Sequence, residues 1–148
     1  MKILMAIDIR EETSWMLNDV ADWAARLGAR VDLVYVDAFG NTGAYVLDAK
    51  IYALLKAELA AERRAVINRL QEIGDQMPAE VRGEVHALSG HPVDRVLEMA
   101  PNYDVIVVGT HGRTGIRHAM LGSVAERIVR RSPITTIVLR PSVPAEDG

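Results

Sequence analysis

The chain has 148 residues, 49% of them hydrophobic and 25% charged, with a formal net charge of -3. This fits one globular domain with a sizeable core and disfavours the extended basic surface that nucleic acid needs. It contains no cysteine, which excludes disulfides, thiolate metal sites and a cysteine nucleophile.

The start, MKILMAIDIREE, holds an apolar run too brief for a secretory core and far below the roughly 20 residues of a membrane span, so a cytoplasmic protein without a membrane partner is expected. Ile3 to Ile7 reads as the first strand. The helix that follows puts Met16, Val20, Ala24 and Leu27 on one stripe, and Gly28 stands where a helix end favours a left-handed residue. Val31 to Val36 is the second strand. The segment FGNTGAYVL, residues 39–47, has turn residues but no period and reads as a loop. A long helix is expected from Asp48 to Gln76, carrying Ile51, Leu55, Leu59, Val66, Leu70 and Ile73, with Pro78 beyond it as a stop. Val81 to Leu88 is the third strand, and Pro92 opens a short helix, since proline is tolerated in a first turn. Asp104 to Val108 and Thr136 to Leu139 complete five strands, a last helix begins at Ser123, and the tail 142–148 is expected to fray. Strands and helices thus alternate, which calls for an α/β fold with a mostly parallel sheet and helices on both faces.

The stretch VVGTHGRTGIRHAMLGSVAERIVRR places Gly109, Gly112, Gly115 and Gly122 between a strand end and a helix start. In an open parallel sheet, ligands bind beyond the carboxyl ends of the strands. Glycines there expose main-chain amides, and a helix N-terminus favours an anion, phosphate above all. The P-loop and the dinucleotide fingerprint G-x-G-x-x-G are both missing. Positive charge can come only from Arg113, Arg117, His118 and, further along, Arg127, because the three lysines, Lys2, Lys50 and Lys56, lie elsewhere. Phosphoryl transfer is therefore under-equipped.

The spacing Gly109-x-x-Gly112, nine residues, then Gly122-Ser123 resembles the nucleotide-binding signature of the universal stress protein family, in its ATP-binding branch. The likeness extends to MAID at the first strand end, LVYVDAF, the Gly-x-Pro of Gly90 to Pro92, and the ending GSVAERIVRRSPITTIVLRP. The resemblance implies an open five-stranded parallel sheet of order 3-2-1-4-5, of the adenine nucleotide alpha hydrolase-like, Rossmann-like kind. It implies that Asp8 accepts a hydrogen bond from the ribose or adenosine portion and that Ile7 and Val36 line the adenine slot. Gly109 and His111 would lie along ribose and phosphates, with Arg113 as a nearby cation. Gly112, Gly122, Ser123 and Val124 would surround the phosphates. The implied ligand is ATP, with ADP or AMP as alternatives and Mg²⁺ bound through the phosphates. A homodimer through Thr136 to Leu139 is implied as well. Two departures stand out: where the family often has Gly or Phe and then Ser-Glu after the aspartate, this chain has Ile9-Arg10-Glu11-Glu12, and where it often has Cys-Pro-Val before the last strand, this chain has Ile134-Thr135-Thr136.

Plainer readings compete. Ser123 and Glu126 form a capping-box pattern that would satisfy helix donors without any ligand. Asp8 could cap the helix near Thr13 or form a surface pair. Trp15 and Trp23 fit core packing or partial burial better than base stacking. His86, His91, His111 and His118 make no H-E-x-x-H or comparable pair, so no dedicated zinc site is expected. Function divides between an ATP-binding regulatory protein, a slow ATPase or nucleotidyl-transfer enzyme using Asp8, His111 or Glu126 as base, and a nucleotide-free dimerisation module.

Overall fold

A computed structural model describes residues 1–11, 13–38, 48–110 and 121–141. Its strands are β1 (Lys2–Ala6), β2 (Arg30–Asp37), β3 (Arg82–Ser89), β4 (Val105–Gly109) and β5 (Thr135–Leu139). All pair in parallel in the order β3-β2-β1-β4-β5. The helices are α1 (Ser14–Leu27), α2 (Ala49–Gly74), α3 (Pro92–Met99) and α4 (Ser123–Arg131), with a short 3-10 turn, Ala100–Asn102, after α3. Because successive side chains of a strand point to opposite faces, each strand feeds two cores. Ile3, Met5, Leu33 and Val107 meet α1 and the end of α2 on one face. Leu4, Val34, Ile106 and Val108 meet α3 and α4 on the other.

Local chemistry sets the element ends. Gly28 closes α1 at φ 61°, the left-handed geometry its position calls for. Pro92 lies in the first turn of α3. Asp48 caps α2 by accepting from the Lys50 amide.

Two helix stripes are narrower than their periods suggest. Met16, Val20 and Ala24 are buried, but Leu27 at the end of α1 is 57% exposed. In α2 burial is confined to the C-terminal part, at Leu70, Ile73 and Gly74, while Ile51, Leu54 and Leu59 face outward. The reason is length. Twenty-six helical residues span about 39 Å, whereas the eight residues of β3 span about 27 Å. The first turns of α2 have no sheet beneath them.

The opposite end of the sheet from the strand carboxyl ends holds a buried polar knot. Asp32 on β2 is 3% exposed. It accepts from the Tyr103 hydroxyl at 2.6 Å and from the Glu84 amide at 2.8 Å. Lys2 Nζ lies 3.8 Å away and His86 Nε2 3.6 Å away. A side chain at Gly83 would strike the Asp32 carboxylate and the Val31 carbonyl. This is where the β2–β3 register shifts, between Val31 and Leu33. Segment 39–47 and the tail 142–148 lie outside the described residues.

Candidate functional site

At the carboxyl ends of β1, β2 and β4, where the strand order reverses between β1 and β4, a cavity of about 740 Å³ opens. That size is within the roughly 300–1,000 Å³ of small-molecule sites, and the position is the one expected for ligands of such sheets. Ile7, Asp8 and Val36 line it from the first two strands. Gly109 lines it from β4, and Gly122, Ser123 and Val124 line it from the start of α4. His111, Gly112 and Arg113 lie outside the described residues.

The lining combines apolar side chains with a helix end. Ala6, Val34, Val36 and Val108 alternate onto one face of their strands and, with Val96 and Ile128, make an apolar wall. The first turn of α4 also lines the cavity. Gly122 is its N-cap, at φ -61° and ψ 155°, and as a glycine it brings no side chain to the first-turn amides. The first intrahelical bond runs from the Glu126 amide to the Gly122 carbonyl at 2.9 Å. The capping box therefore does not form. Because the helix starts one residue earlier than that pattern requires, Ser123 is already helical, and Glu126 pairs with Arg130 at 2.7 Å instead. The amides of Ser123, Val124 and Ala125 consequently have no acceptor within the helix, and the helix dipole adds partial positive charge there. Gly122 itself has a φ open to any residue, so its dihedrals do not demand glycine.

Asp8 is engaged with Arg10. The Arg10 Nε donates to Asp8 Oδ1 at 3.0 Å and Nη2 to Oδ2 at 2.8 Å, while the Arg10 amide donates to Oδ1 at 3.0 Å. A turn closed by the Glu11 amide on the Asp8 carbonyl, 3.1 Å, holds both residues. The surface-pair reading of Asp8 is thus what the structure contains, with both partners lining the cavity. Helix α1 starts after Thr13, whose own side chain makes no capping hydrogen bond. Tyr35 lines the same end; burial raises its phenol above the ordinary value, Arg10 opposes this, and Asp8 and Asp37 add to it.

Several lining residues escaped sequence reasoning. Thr110 follows Gly109, is 5% exposed, and its hydroxyl has no partner among the described residues. Its presence inside the glycine stretch was the available signal. Trp15 and Met16 reach the cavity from α1, Trp15 as a partly buried core residue and not a free ring. Arg10 was visible as the family departure after Asp8.

For metals, Asp32, Glu84 and His86 bring ligand atoms within 4.8 Å of one another among the described residues. With Asp32 taken up by Tyr103 and the Glu84 amide, and Lys2 beside it, this group is a charge network that ties three strands together. No described helix is long and apolar enough to cross a membrane.

Comparison with known proteins agrees with this architecture. The sequence profile of the universal stress protein family matches residues 1–140. A universal stress protein of Mycobacterium tuberculosis is 33% identical over 140 residues, covering 90% of this chain and 43% of that protein. The chain spans 62% of the length of a Methanocaldococcus jannaschii relative, to which it is 28% identical over 107 residues. Among solved structures, hypothetical protein MJ0577, described as a structure-based assignment of biochemical function, superposes with a TM-score of 0.68 at 23% identity, over 97% of both chains. A universal stress protein in complex with cAMP superposes with a TM-score of 0.54 at 23% identity, over 95% of this chain and 97% of that one.

Proposed function

Since the chain belongs to the universal stress protein family, we propose that its cavity binds an adenine nucleotide, ATP in the first instance, and that the protein acts as a nucleotide-dependent regulator. The carrying observation is that the first turn of α4, whose N-cap Gly122 has no side chain to cap it, and the strand end at Gly109 and Thr110 line one cavity. Free helix amides and a dipole suit phosphate oxygens. The apolar wall of Ala6, Val34 and Val36 suits a purine ring, and Asp8 suits ribose hydroxyls. The relative solved with cAMP holds a ligand of the same chemical class.

Magnesium would accompany the phosphates and neutralise their charge, with Asp8, Glu11 and Asp37 as the carboxylates on the cavity lining. Binding is favoured over turnover because the described lining has no lysine and its arginine, Arg10, is paired with Asp8. Isothermal titration with ATP, ADP, AMP and cAMP tests the reading. Saturable binding is expected; no heat at millimolar ATP overturns it.

A homodimer through β5 belongs to the same reading. The strand pairs with β4 on one side and forms the sheet edge on the other, and an edge offers unpaired main-chain groups to a second copy. Sedimentation equilibrium should give twice the chain mass, and a monomer at every concentration rejects it.

A further inference from the structure

We infer that Arg10 is a built-in competitor for the sugar end of the site: its guanidinium occupies the Asp8 carboxylate that a ribose must reach, and so sets the nucleotide affinity. The inference rests on the adenine-nucleotide reading above and adds a regulatory residue to it.

Three observations carry it. Both carboxylate oxygens of Asp8 accept from the Arg10 side chain, at 3.0 and 2.8 Å. Both residues line the cavity, beside Tyr35 and Glu11. The pair is also purely local. Arg10 lies two residues after Asp8 in a turn that the Glu11 amide closes on the Asp8 carbonyl, so the contact forms without any ligand or distant element.

A ribose hydroxyl is a weaker donor to the Asp8 carboxylate than the guanidinium, because the guanidinium makes a bidentate pair of hydrogen bonds and adds the attraction of opposite charges. Ligand binding therefore selects the conformers in which the pair has opened or shifted, and apparent affinity falls by the fraction of such conformers. The pair is not costly to open. The Arg10 side chain is 68% exposed and that of Asp8 30%, and exposed ion pairs are worth little. Arg10 thus tunes affinity without closing the site.

The test is titration of the full chain with adenosine and with ATP, for the wild type, Arg10→Ala, Asp8→Asn and the double variant. Adenosine lacks phosphates and reports the sugar end alone. Arg10→Ala should bind both ligands about two- to fivefold more tightly, the factor that corresponds to breaking an exposed pair. In the Asp8→Asn background, Arg10→Ala should add no such gain. Unchanged or weaker adenosine binding in Arg10→Ala overturns the inference. Loss of ATP affinity with adenosine unchanged also overturns it, since Arg10 would then serve the phosphates. If the wild type and every variant bind neither ligand, the nucleotide reading fails and this inference falls with it. Thermal unfolding of each variant guards against loss of fold.

Discussion

Gly109 lies against Met16: a Cβ at Gly109 would come within 2.6 Å of the Met16 sulfur and 3.5 Å of the Trp15 ring. The glycine at the end of β4 is thus required by the packing of α1 as much as by any ligand. Methionine is unbranched and can turn aside, so Gly109→Ala should cost only about 1 kcal/mol or slightly more, at the lower end of overpacking effects. Met16→Ala should cost more alone, as a buried side chain is removed. The double variant should be less destabilised than the sum, because the new methyl fills space the methionine left. Urea denaturation of the four proteins measures this coupling, and strict additivity would show that the two residues do not share the space.

The Asp32–Tyr103 hydrogen bond makes stability depend on pH at both ends of the scale. Burial pushes the Asp32 carboxyl upward, but the Tyr103 hydroxyl, the Glu84 amide, Lys2 and His86 outweigh it and hold the group below the ordinary value. Its contribution is present above the ordinary carboxyl range, about pH 4, and is lost as pH falls through the lowered value. Tyr103 is shifted the other way, by burial first and then by the bond to Asp32. Its contribution is present below the ordinary phenol value, about pH 10, and is lost as pH rises through the raised one. Tyr103→Phe should cost about 1–3 kcal/mol at neutral pH by leaving a buried carboxylate short of a donor, and should flatten the alkaline fall. Denaturation midpoints from acid to alkaline pH test it; an unchanged alkaline slope would remove Tyr103 from the account.

Gly83 belongs to the same knot. Its absent side chain is the space that the Asp32 carboxylate occupies, and the Val31 carbonyl lies 2.8 Å from where a Cβ would sit. Backbone and a buried, hydrogen-bonded carboxylate cannot yield as a methionine can. Gly83→Ala should therefore destabilise more than Gly109→Ala, by about 3 kcal/mol or more, as when a buried polar network is broken. Thermal unfolding of the two variants side by side checks the order.

The sheet was legible because its signals are local. Five β-branched runs, Gly28 at the end of α1 and Pro92 at the start of α3 each state their structure within a few residues. The burial of α2 was not legible, since periodicity shows which face is apolar and not where the supporting sheet ends; Ile51 and Leu59 keep the period yet stay exposed. At the site, Asp8, Gly109, Gly122 and Ser123, which the spacing and the resemblance single out, share one cavity. What the spacing could not convey is which neighbour each residue meets. Arg10 folding back on Asp8, and Glu126 choosing Arg130 over the helix cap, depend on the start of a helix and the closure of a turn to within a single residue.

The glycine N-cap of α4 offers a test that separates fold from function. Gly122 is the N-cap and makes no side-chain bond to the first-turn amides. An aspartate there can accept from those amides and complement the dipole, so Gly122→Asp should leave stability unchanged or raise it by a few tenths of a kcal/mol. The same carboxylate would stand where a phosphate is proposed to bind, and a fixed negative charge repels another. ATP affinity should therefore drop by at least about tenfold, 1.4 kcal/mol, while adenosine affinity changes little. Paired calorimetric titration and thermal unfolding read the two effects independently. A variant as stable as the wild type that still binds ATP with undiminished affinity would place the phosphates away from α4.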